Sequence, residues 1–162
     1  MTRSTEYYLR RRRGQCQFRL WAFTDAIADL NAALVIARHE NRLQEMAYIH
    51  CDLAAVFQYN DSSPYSRAFE HINHSIEMYP MIQTYFLRAE LYYARKDTQS
   101  ALADLVRVEI QSTSKVDILA RLCRATINTF WQPNFAGVVE AKADLEAIKK
   151  MVLHDSIRDV HV

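Results

Sequence analysis

The sequence predicts an all-α protein assembled from helical hairpins, on three observations. Half of its 162 residues are apolar, yet it holds only two glycines, Gly14 and Gly137. A sheet protein of this size needs more turn glycines and longer β-branched runs, whereas a glycine-poor, alanine- and leucine-rich chain favours helix. Small residues and aromatics recur at steps of three and four, the spacing of one helix face. Short polar breaks such as Asn41-Arg42, Asn60-Asp61-Ser62-Ser63-Pro64 and Arg95-Lys96-Asp97-Thr98 cut the chain into helix-length pieces.

Residues 85–108 show the building unit most plainly. Tyr85, Ala89 and Tyr92 share a face before the break, and Ala101, Leu105 and Val108 share one after it. Ala89 and Ala101 are the small residues that let two antiparallel helices close to about 8–10 Å. Thr98 is placed to cap the second helix. The unit is an αα-hairpin.

Taken in order, residues 1–4 fray and a first helix spans 5–20, with Leu9, Cys16 and Leu20 as a thin apolar stripe interrupted by Arg13. The second helix, 23–40, has a broad apolar face of Phe23, Ala26, Ile27, Leu30, Ala33, Leu34 and Ala37. Asp25 suits its positive first turn. The third, 43–59, offers Met46, Ala47, Ile49, His50, Leu53, Ala54 and Phe57. Ser63 is the expected cap of the fourth and Pro64 its first residue, with Pro80 as its stop. Beyond the unit at 85–108, a seventh helix spans 115–131 and an eighth 135–153, leaving 154–162 as a loose tail. No composition shift divides the chain, so 1–162 reads as one domain.

The hairpin pattern recurs. Gly14, Phe23, Ala26, Leu30 and Ala33 give one copy, and Ala54, Phe57, Tyr65, Ala68 and Ile72 another. From Ala26 to Ala68 is 42 residues and from Ala68 to Ala101 is 33. Spacing near 34 residues marks a helical solenoid.

On these residues the chain resembles the tetratricopeptide repeat (TPR) family, over residues 5–112. It departs from the family pattern at Gln17, Ser75 and Thr98 and by an insertion near Ser62-Ser63-Pro64. The resemblance implies a right-handed solenoid of about eight helices: three repeats closed by a capping hairpin at 115–153. It also implies a non-enzymatic protein–protein interaction module, an adaptor, scaffold, assembly subunit or small chaperone-like protein of the cytoplasm.

In that family the first helix of each repeat lines a concave groove. Carried over residue by residue, the candidate partner-binding residues are Tyr8, Arg11, Arg12, Gln15, Phe18 and Arg19, then Tyr48, Asp52 and Tyr59, then Phe86, Glu90 and Tyr93. Cys51, Ala55, Gln58, Gln83, Leu87 and Ala94 lie between them. The implied ligand is another protein or peptide, best matched when one end is acidic. The family's carboxylate clamp for chaperone tails is not reproduced. Its five positions are Arg11, Gln15, Ala55, Gln83 and Leu87, of which Arg11 alone substitutes.

Charge offers a rival reading. The net charge is +1, but residues 1–20 carry six arginines against Glu6, a local +5, so the rest totals −4. Arg10–Arg13 is a candidate contact for a nucleic-acid backbone or an acidic surface, although Asp52 and Glu90 interrupt any continuous basic track. The same arginines fit a mitochondrial presequence, but the segment is required as the first helix. No apolar signal segment and no run of 18 or more apolar residues is found.

Chemistry has little purchase. The three cysteines, Cys16, Cys51 and Cys123, are unpaired by spacing and read as small buried hydrophobes of a reducing compartment. His71 and His74 share a helix face but lack a third ligand by spacing, so they read as solvent-facing rather than as a metal half-site. Asp25/Asp29 and Glu140/Asp144 read as solvated faces. No nucleophile, metal or phosphate-loop motif is present, and neither a catalytic residue nor a cofactor is expected.

Overall fold

A computed structural model describes residues 3–60, 65–111, 121–125, 127 and 135–158. Among them every regular element is an α-helix: α1 (Arg3–Arg19), α2 (Phe23–His39), α3 (Leu43–Asn60), α4 (Ser66–Met78), α5 (Ile82–Ala94), α6 (Thr98–Gln111) and α7 (Phe135–Arg158). Residues 121–125 are also helical. The predicted all-α, helical-hairpin fold is therefore present. The chain divides into two compact units, Met1–Leu91 and Tyr92–Val162.

In the first unit α1 packs on α2, α2 on α3 and α3 on α4. Gly14 sets the distance between α1 and α2. A Cβ placed there would meet Leu30 Cγ at 2.9 Å and the Ala26 carbonyl oxygen at 3.2 Å. Ala26, Leu30, Ala33 and Ala37 are fully buried along the facing stripe of α2. The α1 stripe expected from Leu9, Cys16 and Leu20 is not the packing face. Leu9 and Leu20 are 45% and 77% exposed, and Cys16 is exposed as well. Gly14 is the buried position instead, flanked at helical spacing by half-buried Tyr7, Arg10, Arg11, Gln17 and Phe18. A mostly polar face of this kind is invisible to an apolar-periodicity search.

Across α3 and α4 the core gathers Ala47, Leu53, Ala54 and Phe57 with Ala68, Phe69 and Ile72. Ser75, a departure from the repeat pattern, is fully buried and donates its hydroxyl to the Ala47 carbonyl at 2.7 Å. It is thus as compact as the expected alanine, with its hydroxyl satisfied. Arg88 of α5 donates to Asn73 Oδ1 of α4 at 2.9 Å.

Three turns share one device. After α1, Ala22 N–H bonds the Gln17 carbonyl at 2.9 Å and Trp21 N–H the Phe18 carbonyl at 3.0 Å. After α2, Arg42 and Asn41 repeat this with Ala37 and Arg38, and after α5, Asp97 and Lys96 repeat it with Tyr92 and Tyr93. This is the Schellman closure, with its key residue left-handed. Here that residue is never glycine: Trp21, Asn41 and Lys96 have φ of 61°, 53° and 63°.

Three boundary details differ from expectation. Asp97, not Thr98, caps α6, its Oδ1 accepting from Ser100 N–H at 3.2 Å. Helix α4 begins at Ser66 after left-handed Tyr65, φ 60°, later than a start at Pro64; residues 61–64 lie outside the described set. Helix α7 continues to Arg158 through much of the expected tail. The predicted seventh helix falls largely outside the described residues, apart from 121–125 and 127.

In the second unit Ala101, Leu105, Val108, Ala125, Ile127 and Ala141 are buried. Asp144, expected on a solvated face, is buried and accepts from Arg124 Nε at 2.8 Å, with Arg121 at 3.5 Å. Two cations replace the water it loses.

Two expectations test this account. Gly14→Val forces Leu30 and an α2 carbonyl aside, and its cost in urea denaturation is about 2 kcal/mol; an unchanged midpoint would refute the close approach. Lys96→Gly removes the left-handed penalty of a side chain and gains about 1 kcal/mol. The same melt read on the second unit checks it, and a loss of stability contradicts it.

Candidate functional site

Helices α1 and α3 flank a cleft of about 280 Å³ whose floor is Leu30 of α2. Arg12, Gln15, Phe18 and Arg19 come from the α1 side, and Asp52, Ala55 and Val56 from the α3 side. Steps of three and four put each set on one helix face. A polar cross-link holds the two walls. Arg11 Nε donates to Asp52 Oδ2 at 2.5 Å, and Gln15 Nε2 lies 3.0 Å from both Asp52 oxygens. The Arg11 guanidinium also sits 5.0 Å over the Tyr48 ring.

Beside this cross-link the arginines fall into two groups. Arg13 and Arg10 contact Asp29 of α2, which is buried rather than solvated as expected. Arg13's hydrogen bond holds that carboxyl below its usual range against the opposing effect of burial. Arg10 also pairs with Glu6 at 3.0 Å. Arg12 and Arg19 are exposed and pair with no carboxylate among the described residues; Arg12 only touches Gln15 Oε1 at 3.1 Å. Arg12 and Arg19 both lie at the cleft.

An aromatic corner adjoins it. Tyr59 lies 5.8 Å from Phe18 and 5.9 Å from Trp21, and Phe23 is 5.7 Å from Trp21, all between ring centroids. Phe18, Arg19, Trp21 and Tyr59 bound a second hollow of about 250 Å³. It shares Phe18 and Arg19 with the first, so the two adjoin. Trp21 is 69% exposed and left-handed. That costs roughly 1–2 kcal/mol of backbone strain in addition to leaving a large apolar ring in water.

Of the twelve residues predicted from sequence, Arg11, Arg12, Gln15, Phe18, Arg19, Tyr48, Asp52 and Tyr59 are joined by these contacts and linings. Tyr8 is exposed on α1 and contributes to neither hollow. Phe86 and Glu90 lie on α5, half-buried and exposed respectively. Tyr93 belongs to the second unit. Trp21 and Val56 were missed. Trp21 is the one with a legible signal, a tryptophan directly after the first helix, where a chain ordinarily places a small or polar turn residue.

Other groups in the described residues show their surroundings clearly. Cys16 is exposed, so the buried-hydrophobe reading fails there, while Cys51 and Cys123 are half-buried. Burial, with Asp52 next to it, pushes the Cys51 thiol up to about 12 despite Arg11, which leaves it protonated and unreactive at neutral pH. His71 and His74 are half-buried rather than solvent-facing, and His50 stands 5.1 Å and 5.3 Å from their ring centres. Among the described residues no group of three or more histidine, cysteine, aspartate or glutamate side chains could hold a metal ion, and no helix is long and apolar enough to cross a membrane.

No protein-family model, no curated protein and no solved structure matches this chain.

The cross-link makes a stability prediction. Asp52→Ala leaves Arg11 half-buried without its carboxylate, at a cost of about 2 kcal/mol in chemical denaturation. Adding Arg11→Met to Asp52→Ala recovers part of it, because no unpaired charge remains. Equal stability of parent and Asp52→Ala would show that α1 and α3 do not depend on the link.

Proposed function

We propose that the chain is a non-enzymatic, TPR-like partner-binding module, an adaptor or small assembly factor acting in the cytoplasm. On this reading its α1–α3 cleft takes a protein segment that carries an acidic group beside a large apolar side chain. The observation that supports it is the sharing of Phe18 and Arg19 by the cleft and the aromatic corner. One ligand can then place a carboxylate against Arg12 and Arg19 and an apolar group against Phe18, Trp21 and Tyr59. Tryptophan, tyrosine and arginine are the residue types that dominate binding energy at interfaces. Strain held at an exposed Trp21 agrees with a functional constraint on it. The resemblance of residues 5–112 to TPR repeats is a second, independent support.

Nucleic acid is the weaker reading. A phosphate track needs several uncommitted cations, and Arg10, Arg11 and Arg13 already face Glu6, Asp52 and Asp29.

A panel of synthetic peptides pairing one to three acidic residues with Leu, Phe or Trp provides the test, titrated against the full chain at two salt concentrations. Arg12→Ala/Arg19→Ala weakens binding chiefly at low salt, where screening is least. Trp21→Ala weakens it about tenfold or more at either salt. Phe86→Ala asks whether the ligand path reaches α5. A single-stranded RNA probe binding more tightly than every peptide, with steep loss in salt and indifference to Trp21→Ala, would falsify the peptide reading.

A further inference from the structure

Three imidazoles meet between α3 and α4. His50 of α3 is only 5% exposed. Its Nδ1 stands 2.9 Å from Nδ1 of His71, and the His74 ring lies 5.3 Å away. Phe57 stacks on His71 at 5.2 Å with an interplanar angle of 10°, and Arg67 covers Phe57 at 4.3 Å. His50 Nε2 is buried with no hydrogen-bond partner.

This arrangement accepts neutral rings and rejects charged ones. One proton between the two Nδ1 atoms makes a normal hydrogen bond, with one ring donating and the other accepting. A further proton on His50 creates a buried cation whose Nε2–H has no acceptor. Its surroundings offer little relief. Arg38 of α2 and Arg67 of α4 add positive charge, and the Glu70 carboxylate of α4 opposes it at His71. Among the described residues, α1, α3 and α5 bring no charge that bears on either ring.

We propose that the His50–His71–His74 cluster is an acid-operated latch on the α3–α4 hairpin, closed while the rings are neutral and released when His50 takes up a proton. The latch is separate from the binding cleft and does not rest on that reading.

The direction follows from proton uptake. Burial first, then the two neighbouring histidines and Arg38, push His50 down to about 4, and burial also lowers His71 against the pull of Glu70. An unfolded histidine takes its proton near 6.5. Between these values the open state binds more protons than the closed one. The latch therefore contributes fully above about pH 6.5 and weakens as pH falls toward 4. The open-to-closed ratio rises about tenfold per pH unit for each histidine kept neutral.

The test uses the full chain between pH 7.5 and 5, above the ordinary carboxylate range, in a Glu90→Gln background because burial raises that carboxyl. Histidine ring resonances are followed by NMR, and amide exchange, corrected for its intrinsic pH dependence, is followed in α3, α4 and α6. The expected result is a His50 ring still neutral at pH 5, and α3–α4 protection falling about tenfold per unit below pH 6 while α6 stays level. His50→Met flattens that slope; should it not fold, His71→Gln takes its place in the same comparison. The proposal is overturned by a His50 midpoint near 6.5, by α3–α4 protection unchanged across the range, or by a variant that keeps the parent's slope.

Discussion

The contact between Gly14 and Leu30 is the constraint on which the first unit depends. Helix α1 has almost no apolar face, so ordinary hydrophobic packing cannot seat it. It is seated by approaching closely at one point that has no side chain, with Leu30 filling the space a Cβ would take. Every side chain that α1 brings to the cleft inherits its position from that approach. Leu30 is also the cleft floor. The residue that fixes the distance between α1 and α2 therefore also fixes the depth of the hollow between α1 and α3.

Close approach alone leaves a row of arginines to place. Two half-buried or buried carboxylates, Asp52 and Asp29, take Arg11 and Arg13. Such pairs contribute little net stability, because desolvation offsets attraction. Their effect is selective. They orient α1 in register against α2 and α3, and they remove two charges from the pool a ligand can meet. What remains uncommitted at the cleft is Arg12 and Arg19, which bracket the point where polar wall meets aromatic corner. A helix that looks uniformly basic in sequence is therefore sharply divided in space.

The sequence was most legible where apolar residues carry the packing. Ala26, Leu30, Ala33 and Ala37 on α2, and Ala101, Leu105 and Val108 on α6, are buried as their spacing predicts. Helices α2 and α3 begin where expected. Legibility failed where a polar group does a structural job. Asp29 and Asp144 were read as solvated because a carboxylate's partner is set by helix packing, not by spacing along its own helix. The turns hid for a related reason: a Schellman closure is usually announced by glycine, and here Trp21, Asn41 and Lys96 occupy its left-handed position. Missing the closure at Trp21 meant missing the side chain it projects, and with it the aromatic corner. Six of the predicted residues, Arg12, Gln15, Phe18, Arg19, Asp52 and Tyr59, line the two hollows; they were expected from a pattern that pairs helix faces, information a single helix does not contain.

Helix α3 links these themes, since its faces carry different tasks. Tyr48, Asp52, Ala55 and Tyr59, at steps of four, three and four, turn toward α1 and the cleft. His50 and Phe57, two turns apart on another face, meet His71 of α4. A rigid helix transmits a change of seating from one face to the other, because its side chains cannot move independently of its axis. The α4 side is held by Ser75 on the Ala47 carbonyl and by the neutral histidine cluster. The α1 side is held by one charge-assisted link at Asp52. The two attachments differ in kind: a pair of hydrogen-bonded rings on one side and a charge-assisted hydrogen bond on the other. A proton reaching the histidine pair therefore alters the seating of α3 on α4 without touching the side chains that tie α3 to α1.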